Sequence, residues 1–216
     1  MKKHVITIIL LTITLAINAQ NTIQPKVVYS SDFVIDEIPR NISFYIPANY
    51  GTKDFHPLVV MLHPEGESSV KFIKNYGDVI HPIADSLNYV ILYPDALKGK
   101  WYSAVEANQK DSVNDVGFIN IMITYFIQQY ACNPNEIFIC GFDKGGDMAE
   151  KLACKLNIPV TAIASFKKEN TNASACTPPS TVSVMDTKSF TPGTDKLPYK
   201  KAVDEAFSYF QSKIKK

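Results

Sequence analysis

Residues 137–147 read Ile-Phe-Ile-Cys-Gly-Phe-Asp-Lys-Gly-Gly-Asp. A short apolar run meets a glycine, a charged pair and two further glycines, which is the pattern of a buried strand turning sharply into a helix. Working outward, equally short apolar runs occupy residues 58–62, 89–93, 160–164 and 181–185. Runs of this length that are apolar on both faces belong to parallel strands sandwiched between helices. Residues 40–46 alternate polar and apolar, as a half-buried strand does, and Pro47, Asn49 and Gly51 close them. Between the runs the period changes. Ile119, Met122, Ile123, Phe126, Ile127 and Tyr130 form one apolar stripe on a helix beginning near Asn114 or Asp115, and Val203, Ala206, Phe207, Phe210 and Ile214 repeat it in a last helix. Strands alternating with helices predict an α/β fold with a mainly parallel sheet and right-handed crossovers.

The ends of the sequence and its composition bound the rest. Lys2 and Lys3 precede an apolar run over residues 5–17 that leads to Ala19 and Gln20. Residues 1–19 therefore read as a signal peptide, too short to span a bilayer, with a single domain over 20–216 that is secreted or periplasmic and not stably inserted in a membrane. A net charge of +1 gives no footprint for nucleic acid. Export makes disulfides possible among Cys132, Cys140, Cys154 and Cys176, with three pairings open, although Cys140 and Cys154 also suit small core positions. No cysteine or histidine spacing suggests zinc, and the pattern calls for no metal and no cofactor.

Three segments resemble the secreted esterase branch of the α/β-hydrolase fold, the family of polyhydroxybutyrate depolymerases and feruloyl esterases. Pro57-Leu-Val-Val-Met-Leu-His63 is similar to that family's third strand. Asp115-Val-Gly-Phe-Ile119, with Tyr130 and Asn133-Pro-Asn-Glu136, resembles its next helix and strand approach. Gly141-Phe-Asp-Lys-Gly-Gly146 resembles its nucleophile elbow. The likeness runs from about Arg40 to about Tyr199 and implies an α/β-hydrolase-like sheet flanked by helices.

The departures from that pattern imply what the site lacks. Asp143 stands at the nucleophile position, where the family has serine. Pro64 follows His63 where the family has a glycine, and proline has no N–H to offer an oxyanion. The four histidines are His4, His56, His63 and His81, and none follows Asp143, where the family's base would lie. The sequence ends with the helix around 203–214, so the family's last strand is expected to be absent. Asp195 takes the place of the catalytic acid, with Asp186 as the alternative register.

Around this elbow, His63, Pro64, Glu65, Trp101, Tyr102 and Lys144 are the candidate binding residues. Trp101 and Tyr102 either stack on a ring-shaped ligand or cover the edge of the core. Asp143 and Asp147 either join a hard-cation site with Glu65 or simply complement a helix dipole. Asp143 with Lys144 reads equally as an exposed turn. Asn41-Ile-Ser43 and Asn172-Ala-Ser174 match the glycosylation pattern. The functional expectation is a non-catalytic binding or accessory protein for a glycan or ester-bearing polymer. Its alternative is weak or altered ester hydrolysis through Asp143.

Overall fold

A computed structural model describes residues 26–102, 114–167, 178–180, 182–187 and 196–214. The chain forms strands β1 (Lys26–Ile35), β2 (Ile38–Ile46) and β3 (His56–Leu62), helix α1 (Ser69–Leu87), strand β4 (Val90–Pro94) and helix α2 (Asp115–Gln129). It continues through β5 (Cys132–Phe142), α3 (Lys144–Lys155), β6 (Ala162–Phe166), β7 (Ser183–Thr187) and α4 (Leu197–Gln211). The signal-peptide reading, Cys176, Asn172 and Asp195 lie outside the described residues.

The seven strands make one sheet in the order β1-β2-β4-β3-β5-β6-β7. Pairings from β4 to β7 are parallel, whereas β1–β2 and β2–β4 are antiparallel. Residues of the central strands alternate between two cores, because successive side chains of a strand point to opposite faces. Val59, Met61, Ile91 and Phe138 pack under α1 and α4 with Phe72, Ile80, Val203, Phe207 and Phe210. Leu58, Val60, Leu62, Ile137 and Ile139 pack under α2 and α3 with Phe118, Met122, Phe126, Met148 and Leu152. A strand covered on both sides has no polar face, hence the continuous apolar runs.

The structure adds β1, a strand the sequence pattern did not mark. Asp36 and Glu37 join it to β2, both with positive φ (51° and 64°). Such a tight hairpin favours asparagine or glycine, so an Asp-Glu pair gives no turn signal. Helix α1 runs through Pro82. Of the cysteines, Cys132 and Cys140 are buried and free. Cys154, also read as a core residue, is disulfide-bonded. Helix α4 is the last described element, and no helix among the described residues is long and apolar enough to cross a membrane.

Candidate functional site

The register Leu62↔Gly141 sets the ends of β3 and β5 side by side, and the functional loops leave the sheet there. Between β5 and α3 a single residue makes the turn. Asp143 sits at φ 54°, ψ −119°, a conformation that L-residues rarely adopt. Backbone bonds hold it there: its N–H donates to the Phe166 carbonyl at 2.7 Å, and its own carbonyl accepts from Gly146 N–H at 2.9 Å and Asp147 N–H at 3.3 Å. The glycines of the motif are required by proximity. A Cβ on Gly141 would meet the Gly145 carbonyl and come within 2.7 Å of Gly146 N. One on Gly145 would meet the Leu62 carbonyl and come within 2.7 Å of His63 O.

Asp143 is not the exposed turn that its neighbour Lys144 suggests. It is 9 % exposed, and its side chain makes no cap bond to the helix. Lys144 points outward and pairs with Asp147 at 2.9 Å, which raises its pKa. The field of Glu65, an exposed residue on the facing turn, adds to that rise. Among the described residues, no three His, Cys, Asp or Glu side chains converge on a metal-sized position. Strain of this kind costs about 1–3 kcal/mol, and glycine would remove it against an entropic loss of about 0.5–1 kcal/mol. Asp143→Gly is therefore expected to raise thermal stability while Asp143→Ala does not. Equal melting temperatures for the two variants would show the turn to be unstrained.

The loop after β3 is built around a neutral imidazole. His63 is buried, with Nδ1 2.7 Å from the Pro64 carbonyl and Nε2 3.2 Å from the Ala96 N–H. Nδ1 is thus the donor and Nε2 the acceptor. Burial lowers its pKa, and the Asp95 carboxylate 3.9 Å away only partly offsets this. Trp101 completes the anchor, donating from Nε1 to the His63 carbonyl at 2.9 Å, its ring 4.8 Å from the imidazole. Trp101 is half-buried and braces this loop. Pro64 contributes its carbonyl, which also accepts from Glu67 N–H at 3.3 Å.

Tyr102 is tied by its backbone: its N–H donates to Asp115 Oδ2 at 2.6 Å, and its carbonyl accepts from Asp115 N–H at 3.1 Å. Asp115 in turn pairs, fully buried, with Arg40, whose guanidinium lies 3.9 Å above the Phe118 ring and donates to the Asp95 carbonyl at 3.0 Å. Burial pushes the Asp115 carboxyl up despite that partner. Arg40 was visible in sequence only as the start of a strand.

On the other side of the elbow, Tyr199 of α4 stacks on Tyr76 of α1 at 3.9 Å and lies 5.2 Å from Phe142, close enough to feel the Asp143 charge. Lys167 and Glu150 form a buried ion pair between the end of β6 and α3. Tyr199 closes the stretch of family likeness, whereas no motif marked the ion pair. The other described histidines lie elsewhere. His56 accepts from Gly51 N–H at 3.2 Å and stacks on Tyr50, and His81 stacks on Tyr45 at 3.9 Å. Burial lowers the pKa of both.

No family model matches the chain. It is 29% identical over 134 residues to feruloyl esterase D of Neurospora crassa, covering 58% of this chain and 44% of that protein. It is 25% identical over 113 residues to feruloyl esterase B of Talaromyces funiculosus, covering 50% of this chain and 31% of that one. The chain thus spans less than half the length of these curated relatives. Among solved structures, the fluorophosphonate-binding serine hydrolase F of Staphylococcus aureus superposes with TM-score 0.64 at 10% identity, over 87% of this chain and 98% of that one.

Proposed function

We propose, on the premise that this chain belongs to the esterase-like family of α/β-hydrolase-fold proteins, that it is a non-catalytic member acting as a binding or accessory protein outside the cytoplasm. Its ligand is a glycan or ester-bearing polymer. The observation that carries this reading is the elbow itself. A carboxylate stands where serine chemistry needs a hydroxyl. Triad chemistry needs a base within hydrogen-bond reach of the nucleophile. His63, the histidine on the facing loop, has both ring nitrogens engaged with backbone groups. Pro64 removes an N–H where an oxyanion donor is wanted, a loss worth about 10²–10³ in rate.

The relatives' names supply the ligand class, since feruloyl esterases act on feruloyl esters. Trp101 is the one tryptophan of the sequence, so its emission reports on the His63 loop without labelling. A feruloyl ester is expected to shift that emission saturably with no product formed. An emission unchanged up to millimolar ester removes the binding reading.

The strained backbone of Asp143 favours a second reading, because such strain concentrates at working sites. There Asp143 attacks the ester carbonyl, expels the alcohol and carries the acyl group as an anhydride until water releases the acid. Mass spectrometry after mixing with an activated ester separates the two readings. The first expects an unmodified chain. An acyl adduct on Asp143 would establish the second.

A further inference from the structure

His81 lies on the face of α1 that meets the sheet, away from the elbow. Its ring lies flat on Tyr45 of β2, with centroids 3.9 Å apart and planes 1° apart, and stands edge-on to Tyr93 of β4 at 6.2 Å. Gly77, one turn earlier, makes the room: a Cβ there would come within 2.9 Å of His81 Cε1. Nε2 is sealed from solvent with no hydrogen-bond partner, and so is the Tyr93 hydroxyl. Four residues on, Asp85 fastens β2 to the helix, accepting from Tyr45 Oη at 2.9 Å and from Ala48 N–H at 2.7 Å.

We propose that His81 is an acid-sensitive latch: protonating its half-buried imidazole, whose Nε2 is sealed, loosens α1 from β2 and β4. An imidazolium here needs an acceptor at Nε2, and a buried charge without one is costly. The ionisable groups that face it are Tyr45 from β2, Tyr93 from β4, and Asp78 and Asp85 from α1 itself. Neither carboxylate is idle. Asp85 holds Tyr45 and Ala48, and Asp78 pairs with Lys196, the residue before α4, at 2.7 Å. To answer the new charge, Asp85 must leave β2, or the ring must swing out to water. Either movement disturbs α1, which begins at Ser69 directly after the turn facing the elbow.

Burial holds the folded His81 at about 4, below its ordinary 6.5. The unfolded state therefore takes the proton first. Stability is full above pH 6.5 and is lost as pH falls toward 4.

Hydrogen exchange on the whole chain at pH 7 and pH 4.5, corrected for intrinsic rates, is expected to show α1 amides losing about tenfold or more in protection. His81→Phe, which keeps the stacked ring, is expected to reduce that loss severalfold, leaving the part that His56 and His63 contribute. Loss of equal size in the variant would overturn the latch. In the unaltered protein, the His81 ring resonances should titrate with a midpoint near 4. A midpoint near 6.5 would overturn it independently of whether the variant folds.

Discussion

Gly145→Ala is expected to destabilise the protein by about 3 kcal/mol or more, at or beyond the upper end of the 1–3 kcal/mol usual for overpacking. The new Cβ would press on the Leu62 carbonyl and lie 2.7 Å from His63 O, and both are backbone atoms of the central strand or its exit. Backbone in the middle of a seven-stranded sheet cannot move aside as a side chain can. Gly141→Ala meets the same obstacle in the Gly145 backbone. Gly146→Ala meets a milder one, because its Cβ would find the side-chain atoms Lys167 Cγ and Ser165 Oγ at 3.0 Å and the Gly141 carbonyl oxygen no nearer than 3.3 Å. Denaturant midpoints should therefore fall steeply for the first two and modestly for the third. Three equal losses would mean that the elbow does not pack against β3 as described.

Asp115→Ala is expected to cost about 3–5 kcal/mol, the range for stripping one partner from a buried ion pair. Arg40 would keep its charge inside the protein with only the Asp95 carbonyl and the Phe118 face for company. The Tyr102 N–H would lose its acceptor as well. Adding Arg40→Met removes the stranded charge, so the double variant should be more stable than Asp115→Ala alone while remaining below the parent. A double-mutant cycle measured by urea unfolding reads the difference. Additive losses would show that the two groups do not depend on each other.

The sheet was legible because burial on both faces leaves strands of one kind only, and the runs at 58–62, 89–93 and 137–140 all became central strands. Helix α2 was legible from its stripe and from Asn114, whose side chain accepts from Gly117 N–H. β1 was not, since Asp36-Glu37 carries no turn chemistry for its positive φ values. The elbow could be found from its glycines and its resemblance. Its strain could not, because a lone aspartate in sequence says nothing of ψ. The Arg40–Asp115 pair was hidden for another reason: its partners are 75 positions apart, and only the sheet order brings them together. The bond from the Trp101 indole to the His63 carbonyl was hidden as well, because 38 positions separate the two residues.

The central claim is that this elbow no longer performs ester hydrolysis, and steady-state turnover of a short-chain p-nitrophenyl ester tests it most directly. The purified protein and its Asp143→Ala variant are expected to match each other and the buffer rate. Turnover by the parent that disappears in the variant would contradict the account and establish Asp143 as a working catalytic residue.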